Sequence, residues 1–219
     1  AESAFAIDVD SGQVFYEKEA DKKRPLATIT KLMTALVAKE IIEEGELVPI
    51  TAAAVEQAGE SGLSIGERFS YQKLSDLVLL SSSNDGAYAL GAAAGAALNP
   101  SSPEDAFVKA MNVRARELGL SATTFRNPTG LDISEDEAGA YGSARDVAKL
   151  MSYTLLNYPE LLEETSKSES TIQSQSGESH EANNTNLVIE EITQVIGSKT
   201  GYTTLAGGNL VVAFDAGLD

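Results

Sequence analysis

The alternation of apolar and polar positions predicts strands at both ends of the chain. Residues 5–9 form a short apolar run, and the turn residues Asp10-Ser11-Gly12 lead into strand-like residues 13–16, which predicts a hairpin. Strand character returns at residues 194–196 and, after a Gly-rich turn, at residues 210–214. Because helical segments lie between these ends, the order predicts an α+β fold whose terminal strands pair into one antiparallel sheet.

Helical spacing governs the middle of the chain. Apolar residues from Ile29 onward recur every three or four positions, which predicts a helix over 29–43 with Thr28 in its N-cap or first turn. An apolar run at residues 74–80 stops at a polar break and is followed by a small-residue helix to about residue 98. Two further helices are expected, one beginning at Ser102-Pro103 and one capped by Ser143.

Residues 165–186 are rich in Ser, Thr, Gln, Glu and Asn, which is typical of a functional or mobile loop and compatible with a polar hairpin around Gly177. We expect His180 to be exposed in this segment, and Asn184 and Asn186 to tie it to the core. Three carboxylates near turns, at Asp8, Asp10 and Asp132, are interpreted as turn stabilisers.

Composition narrows the possible chemistry. The 219 residues carry a net charge of -17, with one His and no Cys. That length predicts one domain, and the lack of Cys excludes disulfides, thiolate catalysis and Cys-ligated metals. A single His cannot supply a multi-His metal site, and an acidic chain repels phosphate backbones, so we expect no metal and no nucleic acid. No apolar stretch is long enough to span a bilayer.

Three short segments carry candidate chemistry: Thr28-Ile29-Thr30-Lys31, Ser82-Ser83-Asn84 and Lys199-Thr200-Gly201. A hydroxyl and a Lys three residues apart share one face of a helix, and burial disfavours the charged form of the Lys, so the amine can act as a base. The second segment lies at a break between helices. The third lies on a strand, where Gly permits close approach of another backbone.

Each segment alone is common, but their order matches the S-x-x-K, S-D-N and K-T-G set of penicillin-binding proteins and class A β-lactamases. The chain resembles the serine-type D-alanyl-D-alanine carboxypeptidases, which are low-molecular-mass penicillin-binding proteins, from about Phe5 to its end. The similar stretches are residues 24–36, 79–85, 125–131, 143–146, 184–186 and 197–203.

The resemblance implies a role for each motif residue. Lys31 would be the general base that activates the hydroxyl of Thr28, and Ser82 would relay a proton toward the leaving amine. Asn84 would hydrogen-bond the substrate. The backbone N–H groups of Thr28 and Tyr202 would form the oxyanion hole. The remaining substrate-binding residues would be Lys199, Thr200, Gly201 and Thr203.

The implied reaction is attack on the D-Ala–D-Ala amide of a peptidoglycan pentapeptide, release of D-Ala, and hydrolysis of the acyl-enzyme. β-Lactams would acylate the same hydroxyl, and no cofactor is needed. The resemblance also implies an extracytoplasmic protein, periplasmic or at the cell surface, whose signal peptide has been removed. Membrane association would come only through segments outside this sequence.

The chain departs from the family pattern at its nucleophile, because Thr28 stands where the family has Ser. The extra methyl stiffens the side chain and crowds the attacked carbonyl. Three accounts remain open: an engineered Ser-to-Thr change, a weak natural Thr enzyme, and a pseudoenzyme that binds cell-wall peptides or β-lactams without turnover. A class A β-lactamase would need an E-x-x-L-N loop, which residues 159–164 do not match.

These features predict one catalytic domain over 1–219 with two lobes. The sheet lobe covers about 1–45 and 141–219, and the mainly helical lobe about 46–140. Relatives continue beyond the strand at 210–214, so we expect the domain to be truncated at its C-terminus.

Overall fold

The computed structural model describes residues 1–59 and 62–217 and contains α-helices and antiparallel strands, which confirms the α+β class. The strands are β1 (Ala4–Ile7), β2 (Val14–Lys18), β3 (Arg24–Leu26), β4 (Leu47–Pro49), β5 (Arg68–Ser70), β6 (Thr124–Phe125), β7 (Ala140–Gly142), β8 (Glu169–Gln173), β9 (Ser179–Asn183), β10 (Val195–Thr203) and β11 (Gly207–Phe214). The α-helices are α1 (Lys31–Ile41), α2 (Ala52–Val55), α3 (Tyr71–Leu80), α4 (Asn84–Leu98), α5 (Pro103–Glu117) and α6 (Ala144–Asn157). Short 3-10 turns occupy Thr28–Thr30, Pro159–Leu161, Glu164–Ser166 and Ile189–Glu191.

The strands from the two chain ends do not pair with each other in the part of the chain that the structure describes. β1 pairs with β2 and β10 pairs with β11, each as a two-stranded antiparallel sheet, so the predicted joint sheet is wrong for these residues. Both hairpins pack against α6. Because a helix can cover the apolar face of each hairpin separately, burial does not require a ladder between them.

The remaining pairings are short. β7 lies between β3 and β6, β4 pairs with β5, and β8 pairs with β9. The β8–β9 hairpin is the polar hairpin suggested by the sequence, and Gly177 in its turn has a φ of 89°. That φ lies in the left-handed region, which Gly adopts without steric cost.

Helix α1 is the centre of the core. Its residues from Lys31 to Ala38 are all buried, and the helix packs against α3, α4, α5 and α6. Small residues let α4 and α5 approach closely, because a Cβ at Gly95 would lie 1.9 Å from the carbonyl oxygen of Pro103. One contiguous hydrophobic cluster runs from Leu26 to Ala182.

Several helix boundaries agree with the sequence. Ser83 and Ser143 are side-chain N-caps, and α5 begins at Pro103, although Ser102 makes no capping bond from its side chain. The helix predicted over 29–43 is a 3-10 turn followed by α1, which ends at Ile41. The hydroxyl of Thr30 donates to the carbonyl oxygen of Ala27 at 2.9 Å, which favours this tighter first turn.

The prediction of an exposed His180 is wrong. Its side chain is 11% exposed and its Nε2 lies 2.7 Å from Oε1 of Glu67. The inward positions of the β8–β9 hairpin alternate with exposed ones, and His180 occupies an inward position opposite Ile172, which is fully buried. The side chains of Asn184 and Asn186 bond Thr165 and Ser198, which confirms their tethering role.

Within the described residues, no helix is long and apolar enough to cross a bilayer. The far end of the predicted domain, at residues 218–219, lies outside the described residues, as do residues 60–61 of the predicted helical lobe.

Candidate active site

Thr28 begins the 3-10 turn that precedes α1 and is 9% exposed. Its hydroxyl donates to the carbonyl oxygen of Thr200 on β10 at 3.2 Å. Because the turn continues directly into α1, Lys31 follows as the first α-helical residue and points into the interior, where it is fully buried. The Thr-x-x-Lys segment therefore lies where a backbone turn, a helix start and a strand meet.

The second segment occupies the break between α3 and α4. Ser83 caps α4 by accepting a hydrogen bond from the backbone N–H of Gly86 at 2.9 Å, which leaves Ser82 in the connection and Asn84 at the start of the helix. Ser82 has a φ of 62°, an uncommon conformation for a residue with a side chain. Such strain is typical of functional sites, where surrounding structure must hold it in place.

The third segment lies on β10, which passes very close to the Thr28 turn. A Cβ at Gly201 would lie 2.9 Å from the backbone nitrogen of Thr28 and 3.0 Å from that of Ile29. No side chain fits there without a shift of backbone, so Gly at this position permits the strand to contact the turn. The preceding Lys199 is 1% exposed and points inward.

Two lysines converge on one serine. Nζ of Lys199 donates to Oγ of Ser82 at 2.9 Å, and Nζ of Lys31 lies 3.4 Å from the same oxygen. Lys31 also donates to Oδ1 of Asn84 at 2.6 Å, and Lys199 to the carbonyl oxygen of Thr200 at 2.8 Å. The hydroxyl of Thr28 donates to that same carbonyl oxygen, so the structure brings Thr28, Lys31, Ser82, Asn84 and Lys199 into one hydrogen-bonded group.

Burial changes the proton affinity of both lysines. Desolvation holds the pKa of Lys31 well below 10.5, and the neighbouring charge of Lys199 lowers it further against a raising effect from Asp85. Desolvation also lowers the pKa of Lys199 to about 7. A lowered pKa favours the neutral amine, which can accept a proton, so the two lysines are the candidates for the base that nucleophilic catalysis requires.

Three other residues predicted for the site lie on β10 and differ in exposure and hydrogen bonding: Thr200, Tyr202 and Thr203. Oγ1 of Thr200 is 2.6 Å from Oγ1 of Thr185, which is exposed. The side chain of Tyr202 is 74% exposed, so any part of Tyr202 in the site falls to its backbone. The hydroxyl of Thr203, the other residue expected to bind substrate, donates to Oδ1 of Asp132 at 2.9 Å.

The loop at residues 127–132 falls largely within a stretch similar to the family, but sequence reasoning assigned it no part in the site. Gly130 has a φ of 78°, and a Cβ there would lie 2.2 Å from the carbonyl oxygen of Ala27. Thr34 of α1 donates to the carbonyl oxygen of Pro128 at 2.6 Å. The loop therefore packs directly on the turn that carries Thr28, a contact that no local sequence pattern reveals.

The acidic segment considered for a β-lactamase-type base has other contacts. Pro159 begins a 3-10 turn, Glu160 faces Lys39 at 3.7 Å, and Glu164 pairs with Lys167 at 2.6 Å. Among the described residues, no cluster of three or more His, Asp or Glu has the arrangement of a metal site.

Comparison with known proteins agrees with this geometry. The sequence profile of the peptidase family S11, described as D-alanyl-D-alanine carboxypeptidase, matches residues 1–217. The chain belongs to this family. Among curated S11-type relatives, it is 34% identical over 209 residues to the D-alanyl-D-alanine carboxypeptidase DacF of Bacillus subtilis, covering 93% of this chain and 51% of the relative. The chain therefore spans about half the length of that relative.

Solved structures show the same fold. A D-alanyl-D-alanine carboxypeptidase from Mycobacterium tuberculosis superposes with a TM-score of 0.87 at 27% identity, covering 99% of this S11 chain and 78% of that chain. Penicillin-binding protein D2 from Listeria monocytogenes, in an ampicillin-bound form, gives a TM-score of 0.80 at 30% identity over 99% and 85% of the two chains. The penicillin-binding protein fold expected from the motifs is confirmed.

Proposed function

We propose that this S11 chain is a D-alanyl-D-alanine carboxypeptidase that acts on peptidoglycan stem peptides through an acyl-enzyme. One observation carries the proposal: the buried amines of Lys31 and Lys199 both contact the hydroxyl of Ser82, and Lys199 shares the carbonyl oxygen of Thr200 with the hydroxyl of Thr28. This cluster supplies a hydroxyl nucleophile, a base of lowered pKa and a second hydroxyl that can relay protons. Those are the parts that acyl transfer needs.

Acylation begins with the neutral amine of Lys31, which accepts the proton of Oγ1 of Thr28 as that oxygen attacks the carbonyl carbon of the penultimate D-Ala. The carbonyl oxygen becomes an oxyanion that accepts hydrogen bonds from the backbone N–H groups of Thr28 and Tyr202. The tetrahedral carbon then expels the terminal D-Ala, whose nitrogen receives the proton from Lys31 through Ser82. The product is an ester on Thr28.

Lys199 and Thr200 bind the terminal carboxylate, and the amide of Asn84 hydrogen-bonds the peptide. Gly201 contributes by letting β10 contact the turn that carries Thr28. Lys199 must be protonated to hold an anion, and its pKa of about 7 keeps a substantial protonated fraction near neutral pH. Bound carboxylate would raise that fraction, because an opposite charge favours the ammonium form.

Hydrolysis of the ester completes the cycle. Lys31 accepts a proton from a water molecule as the water attacks the ester carbon, and Oγ1 of Thr28 leaves with a proton. The methyl group of Thr28 opposes both halves of the reaction, since a displacement of about 1 Å at a reacting atom can cost about 10²-fold in rate.

A second candidate is a binding protein that does not turn over. It is favoured by the hydrogen bond from Thr28 to the carbonyl oxygen of Thr200, which directs the hydroxyl proton toward β10. In that case the chain would bind cell-wall peptides or β-lactams through Asn84, Lys199 and Thr200 alone.

The ampicillin-bound relative from Listeria supports β-lactams as ligands of the same site. Stem peptides and the cell wall place the proposed activity outside the cytoplasm, in the periplasm or at the cell surface. The balance among carboxypeptidase, endopeptidase and transpeptidase activity depends on which acceptor reaches the ester, and hydrolysis is the outcome that we propose.

The test is acylation by a penicillin, measured by intact mass on the native chain and on a Thr28→Ser variant. We expect the variant to gain one penicillin mass, and to react about 10²-fold faster than the native chain. A Thr28→Ser, Lys31→Met double variant is the matched control, because it keeps the hydroxyl and removes the base.

An adduct on both proteins would establish Thr28 as a working nucleophile. An adduct on Thr28→Ser alone would favour the binding candidate for the native chain, with an otherwise intact site. If neither protein is acylated, or if the Lys31→Met control reacts as fast as its parent, the proposed acyl-transfer site is wrong.

A further inference from the structure

We propose that Asp132 is a positioning residue for the oxyanion hole, an inference that rests on the proposed function. The two N–H donors of that hole, at Thr28 and Tyr202, belong to chain segments far apart in sequence. The loop at residues 127–132 touches both segments, and Asp132 makes the contact on the β10 side.

The first contact of the loop is with the nucleophile turn. Gly130 lies so close that a Cβ would be 2.2 Å from the carbonyl oxygen of Ala27 and 2.8 Å from Oγ1 of Thr30. The loop itself is held in shape by Asn127, whose Oδ1 accepts from the N–H of Gly130 at 2.7 Å and whose Nδ2 donates to the carbonyl oxygen of Leu131 at 2.9 Å. This end of the loop is therefore fixed relative to the backbone N–H of Thr28.

The second contact is with the end of β10. Oδ1 of Asp132 accepts from the hydroxyl of Thr203 at 2.9 Å, and Oδ2 accepts from the backbone N–H of Leu205 at 3.1 Å. The hydroxyl of Thr203 also accepts from the N–H of Ala206 at 3.2 Å. One carboxylate thus holds both the last residue of the strand and the turn that follows it.

The hydrogen bonds of Asp132 to Thr203 and Leu205 affect the position of the Tyr202 N–H in the proposed oxyanion hole. Tyr202 lies between Gly201, which touches the Thr28 turn, and Thr203, which is bonded to Asp132. Releasing Thr203 allows the peptide that carries the Tyr202 N–H to rotate or shift relative to the Thr28 N–H. Oxyanion donors must lie about 2.7–3.1 Å from the developing charge, so a small shift weakens one of the two hydrogen bonds.

The carboxylate itself stays out of the reaction. Both of its oxygens accept protein hydrogen bonds on the β10 turn, and neither contacts Thr28, Lys31 or Ser82 among the hydrogen bonds of the described residues. The expected effect of its loss therefore falls on the rate of the chemical step rather than on ligand binding, which depends on Asn84, Lys199 and Thr200.

The experiment uses the full chain with Thr28→Ser and a fluorescent penicillin. The acylation rate is followed against penicillin concentration to separate the dissociation constant from the limiting rate. We expect Asp132→Ala to lower the limiting rate about 10-fold to 100-fold with a dissociation constant within about two-fold. Asp132→Asn keeps one acceptor oxygen, so its limiting rate should lie between those of Asp132→Ala and the parent.

The matched control is Glu135→Gln, an exposed carboxylate a few residues further along the chain. It should leave both constants unchanged. Thermal unfolding is recorded for every variant. If Asp132→Ala does not fold, the limiting rate of Asp132→Asn is used to test the inference instead.

An unchanged limiting rate in Asp132→Ala would contradict this inference but leave the proposed function intact. The same holds for an equal loss in limiting rate and in penicillin affinity, which would indicate a general disturbance of the site. If the Thr28→Ser parent is not acylated, the proposed function fails and the inference falls with it.

Discussion

At the scale of single residues, the defining feature is the pair of buried lysines that share the hydroxyl of Ser82. Each ammonium loses its hydration on burial, and two adjacent positive charges repel each other. Both effects lower the pKa of Lys31, and burial lowers that of Lys199 to about 7. Burial therefore favours the neutral forms of the two amines, and it carries a cost in stability.

A first prediction concerns how the destabilisation caused by the buried Lys199 depends on pH. Lys199 has a folded pKa of about 7 and a reference value of 10.5, so the folded state binds fewer protons between these pH values. Its destabilising effect is fully present below pH 7 and fades as the pH rises toward 10.5. We expect Lys199→Met to raise the free energy of unfolding more at acidic pH than at alkaline pH.

Urea denaturation of both proteins at about pH 6 and about pH 9.5 measures this difference. A gain that is equal at the two pH values would contradict the lowered pKa of Lys199. The exposed Lys18 provides a control, since Lys18→Met should show no comparable dependence on pH.

The contact between β10 and the Thr28 turn gives a second prediction. Gly201→Ala would place a Cβ 2.9 Å from the nitrogen of Thr28, which forces the strand and the turn apart. We expect acylation of the Thr28→Ser protein to fall by about 10²-fold or more, as measured with a fluorescent penicillin.

The matched control is Gly208→Ala on the neighbouring strand, because a Cβ there meets no atom within 4 Å. Equal losses from the two substitutions would show that the effect comes from the hairpin as a whole rather than from the close approach at Gly201.

The motif residues could be predicted from sequence because each keeps a fixed spacing within its own segment. The hydrogen-bond partners of these and neighbouring residues could not be predicted from sequence. Asp132 reaches Thr203 across 71 positions, and Thr185 reaches Thr200 across 15, so no local pattern connects them. The strained φ of Ser82 is equally invisible in a Ser-rich segment, because the conformation is imposed by the helices on either side.

At the scale of elements, the β8–β9 hairpin shows how a polar segment becomes ordered. Nε2 of His180 bonds the carboxylate of Glu67, whose other oxygen accepts from the N–H of Ser64 at 2.6 Å. The N–H of Gln175 in the hairpin turn donates to the carbonyl oxygen of Arg68 at 2.7 Å. These links join the hairpin to the β4–β5 pair.

A third prediction follows from this buried pair. His180→Ala would leave an oxygen of Glu67 buried without its partner, so we expect a loss of about 1–3 kcal/mol in the free energy of unfolding. Hydrogen exchange should also become faster at the amides of β8 and β9. The measurements are urea denaturation and exchange mass spectrometry.

Glu181→Ala is the control for this prediction, because Glu181 is exposed on the opposite face of the same strand. If both variants lose the same stability, the His180–Glu67 contact contributes nothing specific.

Elements with local signals could be predicted well. The cap at Ser143, the Pro103 helix start and the Gly177 turn all follow from residue chemistry within a few positions. The separation of the two terminal hairpins, among the described residues, could not be predicted, because it depends on how α6 covers each of them. The burial of His180 could not be predicted either, because its partner Glu67 lies 113 residues away in the chain.

At the scale of the whole molecule, the hydrophobic cluster is continuous from the β3 residue Leu26 to the β9 residue Ala182. Helix α1 contributes to it throughout and packs on helices from both of the lobes expected from sequence. We propose that residues 1–219 act as one catalytic domain with a sheet lobe at about 1–45 and 141–219 and a helical lobe at about 46–140.

This arrangement predicts a single cooperative unfolding transition. Signals from tyrosines in both lobes, and the far-ultraviolet circular dichroism signal, should give coincident urea transitions. Two separated transitions would show that the lobes fold independently and that the shared core does not couple them.

The net charge of -17 concerns the outer surface more than the site. Acidic residues dominate exposed segments, whereas Lys31 and Lys199 lie in the interior beside the 3-10 turn of Thr28. The charge of the chain therefore argues against polyanionic partners and is compatible with a small anionic peptide that reaches those two amines.

The separation of the terminal hairpins also affects the behaviour of the protein in concentrated solution. In residues 1–59 and 62–217, the strands β1, β2, β10 and β11 each pair with one strand only. Exposed Leu210 and Phe214 lie on β11. Strand edges of this kind are templates for addition of another strand, so the outer edges of these two hairpins are where self-association and aggregation would begin.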